Sequence, residues 1–487
     1  MAGMKQVSKK CRVQCAESRA QGLCFEHYAV AAGARSVAVR LQIKSVEALA
    51  GTHSAVTRFG ELPSLIGFLL VLLFSVPAFA NERLVVVTAY PEEVTTLYQR
   101  VFEAAHRDIS VQILWKQGRD AFALLSAPDH GGADVYWAAS SDNFPMLRDR
   151  GAFQTLDVDR NALPGQIGED RLSDPDNRFE AFEVAGYGLA FGPQARWQGK
   201  APPRSWHAAA SPDLEGLVLM PTASRIGFAP SLYDIILQGE GWEKGWALLS
   251  EISGNAVLST NGHMLDAIED GRAALAMTID FIPLSAAANG HKIGLAYPAR
   301  TAFLPAHVAK IADASHPEAA QIFIDFLLSQ EGQKLLLEPD VNRHPVRPDV
   351  YPASSGAEVN PFRLPASVTL VFDHSLAGAR RSLVSALFET AIVEHHDRTV
   401  ALWHEIHAAE KRLAETPDTT ASARIAEARR LAGLVPVSKE DATNRNFLAN
   451  INPRPGVVPA EVLSKWRVEL AEAHRKAFAI LAEFTQQ

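Results

Sequence analysis

The stretch Leu84-Val85-Val86-Val87-Thr88-Ala89-Tyr90 gives the first strong indication of the fold, because it is a short, continuous apolar run that a helical pattern follows at once. Such a run is typical of a strand buried on both faces of a parallel sheet. Residues Glu92 to Ala105 then repeat apolar side chains at the spacing of one helix face. Further strands are predicted at Val111 to Trp115 and at Asp134 to Ala138, each before a helical pattern. This alternation predicts an α/β fold with a parallel sheet.

The rest of the chain outlines a second α/β unit and a helical tail. Strands are predicted at Gly216 to Met220 and at Ala274 to Thr278, and helical patterns dominate from about Pro361. The longest of these patterns run from Ser375 to Glu415 and from Pro459 to Phe484. We expect the tail to pack on the α/β body, and a module that binds a partner is the alternative. The predicted boundaries are 82–182 and 300–350 for lobe 1, 183–299 for lobe 2 and 361–487 for the helical C-terminal extension.

The run from Leu65 to Ala80 predicts export. Its apolar core of about a dozen residues is shorter than the roughly 20 that a membrane span needs. It ends in Pro77 and the small-residue triplet Ala78-Phe79-Ala80, which is typical of a signal-peptide cleavage site. We therefore assign 56–80 to a signal peptide and expect a periplasmic protein, with an uncleaved anchor as the weaker reading.

The segment 1–55, upstream of that signal, is basic and lacks a periodic pattern. It holds every cysteine of the chain, at Cys11, Cys15 and Cys24, and these do not make up a tetrahedral zinc set. The segment is either a real extension or the result of a start placed too far upstream, and we favour a true start near Val56. The exported part would then contain no cysteine and would rely on its core rather than on disulfides.

Composition and motifs exclude several classes of function. The chain of 487 residues carries a net charge of −8, which does not suggest a nucleic-acid partner. No phosphate-binding loop and no Gly-x-Ser-x-Gly motif occurs, so we expect neither an enzyme nor a cofactor. The histidines His395, His396, His404 and His407 fall on a helical pattern, where a solvated helix face is the favoured reading and no metal site is expected. An exported phosphate-ester hydrolase would need a nucleophile or metal signature that the sequence lacks.

Polar residues that follow the predicted strands are the candidates for ligand binding, because parallel sheets bind ligands at the carboxyl ends of their strands. The candidate residues are Thr88, Tyr90, Arg119, Ser140, Ser141, Thr222, Ser224, Arg225, Asp280 and Tyr297. This set is rich in hydroxyl groups and contains two guanidinium groups. Hydroxyls and backbone N–H groups at helix starts favour anions, so the set predicts a small anionic ligand.

The strongest candidate is the segment Thr222-Ala223-Ser224-Arg225, where hydroxyls and a guanidinium meet at a predicted helix start. Ser141 and Ser224 fit equally well as helix N-caps. The other candidates also have purely structural readings, which are a surface charge for Arg119, a cap for Asp280 and packing for Tyr90 and Tyr297.

Several motifs resemble a known family. The segments Gly241-Trp242-Glu243-Lys244-Gly245-Trp246-Ala247 and Phe326-Leu327-Leu328-Ser329-Gln330-Glu331-Gly332-Gln333, with Phe388-Glu389-Thr390-Ala391-Ile392 in the tail, carry the resemblance. With them the chain resembles the type II periplasmic solute-binding proteins of ABC transporters, and within these the phosphoglycerate transport regulatory protein family. The resemblance spans nearly all of the chain after the signal and nothing before it.

The resemblance implies a two-lobed periplasmic-binding-protein fold that closes on its ligand like a hinged clamp. It implies capture of a phosphoglycerate-like anion, for ABC-type uptake or for two-component regulation through a membrane sensor kinase, by a protein expected to be a monomer. The alternative is a ferric-iron-binding relative. Such relatives hold the metal with adjacent tyrosines, whereas the matching stretch here reads Asp280-Phe281-Ile282-Pro283-Leu284. That departure favours an organic phosphate.

Overall fold

The computed structural model describes residues 82–192, 201–260, 264–353, 360–451 and 457–485. The predicted signal peptide 56–80 and the segment 1–55 with its cysteines therefore lie outside the described residues. Within the described ranges, no helix is both long and apolar enough to cross a membrane.

The first lobe is built from parallel strands that alternate with helices. Its elements are β1 (Glu82–Thr88), α1 (Glu92–Ala105), β2 (Ile109–Trp115), α2 (Gly118–Leu125), β3 (Val135–Ala138) and α3 (Asn143–Arg148). Strand β1 pairs in parallel with both β2 and β3. Helix α1 has the predicted bounds because its apolar residues Val94, Tyr98 and Phe102 share one buried face. Glu92 and Glu93 lie in its first turn, where the helix dipole favours negative charge.

The chain then builds the second lobe and returns to the first. These elements are β4 (Gln166–Ile167), β5 (Asp170–Arg171), β6 (Glu180–Phe191), β7 (Val218–Pro221), α4 (Ala229–Glu240), α5 (Trp242–Gly254), β8 (Ala256–Ser259), α6 (Met264–Glu269), β9 (Leu275–Ile279), α7 (Phe281–Ala288), β10 (Gly294–Ala296), β11 (Phe303–Lys310), α8 (Pro317–Leu328), α9 (Gln330–Leu335) and β12 (His344–Pro345). In the second lobe, β7 pairs in parallel with β8 and β9.

Strands β6 and β11 connect the two lobes. They are antiparallel to one another, β11 also pairs with β3, and the second half of β6 pairs with β9. Eight of the described strands thus run in the order β2-β1-β3-β11-β6-β9-β7-β8 through both lobes, while β10 and β12 pair with β6 outside this order. A change in the angle between the lobes would therefore have to bend or twist β6 and β11. The predicted lobe boundaries stay a prediction, since β6 takes part in both lobes.

The C-terminal extension is helical, as predicted. Its helices are α10 (His374–Phe388), α11 (His396–Glu415), α12 (Thr419–Ala432), α13 (Lys439–Thr443), α14 (Arg445–Ile451) and α15 (Ala460–Thr485). The single long helix predicted from Ser375 to Glu415 is wrong in one respect, because a π-helical turn at Glu389–Val393 interrupts it. There the N–H of Glu394 donates to the carbonyl of Glu389, five residues back, at 2.9 Å. Apolar spacing continues across this turn, so the sequence pattern alone does not reveal it.

The extension shares a hydrophobic core with the second lobe. Phe388 stacks on Tyr233 of α4 with ring centroids 4.4 Å apart, and Leu383 and Leu387 are buried beside them. The indole N–H of Trp242 donates to the carbonyl of Val437 at 2.8 Å. The extension is therefore part of the folded body, as expected, and its removal would expose apolar surface of the second lobe.

Candidate functional site

The carboxyl ends of β1, β2 and β3 carry the first-lobe candidates. Ser140 and Arg119 are exposed, and Ser141 is half-buried. The hydroxyl of Ser140 accepts the N–H of Asp142 at 3.4 Å. The N-cap reading of Ser141 is wrong, because Asp142 holds that position before α3. These three residues therefore lie at the carboxyl edge of the first-lobe sheet, and their contact with a ligand stays a prediction.

Thr88 and Tyr90, in contrast, are fully buried. The Thr88 hydroxyl accepts the N–H of Tyr90 at 3.0 Å, which fixes the turn after β1. The Tyr90 ring lies 4.6 Å from that of Trp137 and 6.0 Å from that of Phe182. Burial raises the pKa of Tyr90 well above its ordinary value, and the charge of Glu183 adds to this effect. The packing reading thus accounts for Tyr90, and direct ligand contact by Thr88 and Tyr90 stays a prediction.

The segment Thr222–Arg225 forms a tight turn directly after β7. The N–H groups of Arg225 and Ile226 donate to the carbonyl of Thr222 at 3.2 and 3.0 Å. Helix α4 begins only at Ala229, so the predicted helix start and the N-cap role of Ser224 are both wrong. Ser224 and Arg225 are exposed all the same.

The polar groups of this turn have few protein partners. Among the described residues, the Arg225 guanidinium makes no hydrogen bond or ion pair, and the buried hydroxyl of Thr222 has no hydrogen-bond partner. The N–H of Ser224 donates to Glu389 Oε1 of the extension at 3.2 Å. The turn therefore offers a guanidinium and hydroxyls at the carboxyl edge of the second lobe.

Asp280 and Tyr297 come together in a buried network where the second lobe meets the crossover strands. Asp280 Oδ2 accepts the N–H of Gly186 on β6 and the hydroxyl of Tyr297, the latter at 3.0 Å. His344 Nε2 lies 3.1 Å from the same oxygen and 2.9 Å from the Tyr297 hydroxyl. Asp280 precedes α7, but its side chain makes no capping hydrogen bond, so the capping reading is wrong. Instead it ties β9 to β6.

A buried ion pair that could not be predicted from the sequence joins Glu183 of the same crossover strand to Arg343. Arg343 Nη1 donates to Glu183 Oε1 at 2.7 Å, and both side chains are almost completely buried. The Arg343 guanidinium also lies 4.0 Å from the centre of the Phe281 ring and 5.3 Å from that of Tyr90. Burial raises the pKa of Glu183, and the positive charge of Arg343 opposes this shift. Glu183 and Arg343 are 160 residues apart, so no local pattern could have found them.

The structure offers no clustered metal ligands in the ranges it describes. No group of three or more His, Cys, Asp or Glu side chains is placed to hold a metal ion there. His404 is exposed as predicted, but His395, His396 and His407 are half-buried, so the reading as a solvated face is wrong for these three. His407 contacts Glu251 of α5 at 3.2 Å, which gives it a role in packing the extension.

Comparison with known proteins agrees with this architecture. Residues 133–359 match the model of a family described as bacterial extracellular solute-binding proteins. The chain is 24% identical to the phosphoglycerate transport regulatory protein PgtC of Salmonella typhimurium over 416 residues, which cover 84% of this chain and 99% of the relative.

Solved structures show the same fold. The periplasmic binding protein AfuA of Actinobacillus pleuropneumoniae, with fructose-6-phosphate bound, matches with a TM-score of 0.52 at 16% identity, covering 63% of this chain and 98% of AfuA. Iron-bound HitA of Pseudomonas aeruginosa matches with a TM-score of 0.51 at 19% identity, covering 62% of this chain and 99% of HitA.

The chain therefore has the two-lobed fold of these periplasmic binding proteins, and the matches confirm the predicted resemblance to solute-binding proteins. Within that class the chain is similar to the phosphoglycerate transport regulatory proteins. The matching family model is described as one of solute-binding proteins, which agrees with the prediction of a protein that binds a solute rather than an enzyme.

Proposed function

We propose that this chain is a periplasmic protein, exported by the signal peptide at 56–80, that captures a small phosphorylated acid between its two lobes. The observation that carries the proposal is the turn Thr222–Arg225 at the carboxyl edge of the second lobe. It presents an exposed hydroxyl and a guanidinium that has no partner among the described residues. A guanidinium binds phosphate or carboxylate through two parallel hydrogen bonds. The exposed Ser140 lies at the corresponding edge of the first lobe.

The names of two relatives support a phosphorylated solute. The relative matched over most of the chain is named for phosphoglycerate transport regulation, and a structure of the same fold holds a sugar phosphate. We propose that the membrane partner is either the permease of an ABC transporter or a sensor-kinase system. The protein is expected to act as a monomer and to need no cofactor.

Ferric iron is the second candidate solute, and one observation favours it. Tyr297, Asp280 and His344 bring a phenol, a carboxylate and an imidazole within about 3 Å of one another. These are ligand types that iron accepts. However, the three groups already satisfy one another by hydrogen bonds and Asp280 is only 1% exposed. We therefore favour the anion.

Isothermal titration calorimetry of residues 81–487 with 3-phosphoglycerate, 2-phosphoglycerate, phosphoenolpyruvate and ferric citrate tests the proposal. We expect one of the three phosphorylated acids to bind. The substitution Arg225→Gln should weaken that binding about tenfold to a hundredfold, which corresponds to the loss of a charged hydrogen bond. The matched control is Arg107→Gln, since Arg107 is exposed at the amino end of β2, away from the proposed site.

Two results would contradict the proposal. One is the binding of ferric iron with no binding of any phosphorylated acid. The other is equal affinity of the parent protein and the Arg225→Gln variant for the anion that binds.

A further inference from the structure

Arg381 of helix α10 is a residue of the C-terminal extension that lies between the strand ends of both lobes. Its Nη2 donates to the carbonyl of Gly227 at 2.8 Å, and its Nη1 donates to the hydroxyl of Ser231 at 3.2 Å. Both partners follow the turn Thr222–Arg225 of the second lobe. On its other side, Nη1 lies 3.5 Å from the carboxylate of Asp142, which follows β3 in the first lobe. One guanidinium therefore touches the ligand-binding edge of each lobe.

The backbone that carries Arg381 is held firmly against the second lobe. The preceding residue, Arg380, forms a buried ion pair with Asp234 of α4. The N–H of Asp373 donates to Gln238 Oε1 at 2.8 Å, and Gln238 donates back to the carbonyl of Asp373 at 3.3 Å. Helix α10 thus presents Arg381 from a fixed position, so that little conformational entropy is lost when the side chain binds a ligand.

The Arg381 side chain itself is partly exposed to solvent. Arg381 and Asp142 are each 38% exposed, which makes their contact a weak, solvent-screened pair. Such a pair can be exchanged for a stronger partner. A phosphate offers several acceptor oxygens and more negative charge than one carboxylate, so it would compete with Asp142 for the same guanidinium.

Charges of both lobes and of the extension converge at this place. Tyr187 lies on the crossover strand β6, and burial raises the pKa of its hydroxyl. The positive charge of Arg381 lowers that pKa, whereas the negative charges of Asp280 and Asp142 raise it. Arg381, Asp142 and Asp280 are thus all near enough to Tyr187 for their charges to act on its hydroxyl.

We propose that Arg381 is a ligand-binding residue that the C-terminal extension contributes to the cleft. In the unliganded protein Asp142 pairs with its guanidinium, and the phosphate or carboxylate of the solute takes the place of Asp142 on binding. The inference rests on the proposed function, because it assigns a further contact of the same site. It also explains why a binding protein would build its tail into the second lobe, since the tail then carries part of the site.

Calorimetry with 3-phosphoglycerate, 2-phosphoglycerate and phosphoenolpyruvate on four variants tests the inference. Arg381→Gln should weaken binding of the recognised acid at least tenfold, and Arg381→Lys should weaken it less because the charge is kept while the planar fork is lost. Asp142→Asn should strengthen binding about twofold to fivefold, since the competing carboxylate is gone. The control is Arg467→Gln, because Arg467 of α15 is similarly exposed at 41% and pairs with Glu394 within the extension.

Each failure has a distinct signature. If the parent protein binds none of the three acids, the proposed function is wrong and the inference falls with it. If the parent binds one acid and Arg381→Gln binds it within twofold, the inference alone is wrong. Weaker binding by Asp142→Asn would also overturn it, since Asp142 would then contact the ligand. Thermal unfolding of each variant checks folding, and Arg381→Lys decides the matter if Arg381→Gln does not fold.

Discussion

Asp280 and Arg225 both follow parallel strands of the second lobe, yet the structure gives them opposite surroundings. Asp280 is 1% exposed and accepts hydrogen bonds from a backbone N–H and a tyrosine hydroxyl, with an imidazole nitrogen 3.1 Å away. Arg225 is exposed, and its guanidinium has no partner among the described residues. In the sequence, both residues follow a predicted strand of the second lobe. A position at a strand end therefore does not by itself define the role of a residue, because Asp280 is buried in structural hydrogen bonds whereas Arg225 stays exposed to solvent.

Removing the Asp280 carboxylate should have the largest effect on the stability of the protein. Asp280→Ala leaves Gly186 N–H and the Tyr297 hydroxyl without their buried acceptor, which should cost about 3–5 kcal/mol in the free energy of unfolding. Urea unfolding followed by circular dichroism measures this loss. Ser224→Ala, at an exposed position, is the control and should change stability by less than about 0.5 kcal/mol. If both variants are equally stable, Asp280 does not have the structural role that distinguishes it from the exposed residues at the other strand end.

Adding a methyl group at Gly186, beside the hydrogen-bond network of Asp280, should have the next largest effect on stability. A Cβ atom at Gly186 would lie 2.4 Å from the Phe303 ring and 2.6 Å from the Tyr297 ring. Gly186→Ala should therefore destabilise the protein by about 1–3 kcal/mol through overpacking. Gly118→Ala, where no atom lies within 4 Å of the added Cβ, is the matched control and should not destabilise it. If the two variants unfold at the same urea concentration, the packing around Asp280 is looser than described.

The carboxylate of Asp170 should make stability depend on pH. Burial raises its pKa to about 6, although the N–H of Phe372, just before α10, donates to it. The folded pKa lies above the ordinary value of 3.8, so the folded state binds more protons than the unfolded state between these two values. This group therefore contributes stability below about pH 4 that is lost as the pH rises to about 6.

Asp170→Asn tests this dependence, because its amide oxygen still accepts the N–H of Phe372 without carrying a charge. We expect the variant to be more stable than the parent protein at pH 8 and to lack this part of the pH dependence. Thermal unfolding between pH 4 and pH 8 measures the difference. A variant that is less stable than its parent at pH 8 would contradict the assignment.

Changing Arg225 should have the smallest effect on stability. Its guanidinium contacts no partner among the described residues, so Arg225→Gln should shift the free energy of unfolding by less than about 0.5 kcal/mol. The same variant should lose affinity for the phosphorylated acid. A large loss of stability would show that Arg225 is a structural residue like Asp280, and the comparison would then fail.

The architecture could be predicted from local patterns in the sequence. Much of the candidate site could not, because it depends on contacts between distant segments. Helix α1 lies at its predicted bounds because all the residues of its buried face lie in one continuous stretch of the chain. The pairs Glu183–Arg343 and Asp142–Arg381 join segments that are distant in sequence, and only the folded topology brings them together. The exposure of Ser224 and Arg225 depends on where α4 begins. The helix begins at Ala229 with Pro230 in its first turn, and Phe228 rather than the serine holds the N-cap position.

The most direct test of the central claim is native mass spectrometry of the protein isolated from the cell envelope of its own host. We predict a complex that carries one phosphorylated organic acid, which phosphatase treatment of the released ligand would identify. The same preparation of the Arg225→Gln variant should carry little or none. Isolation with one ferric ion and no organic anion would contradict the account.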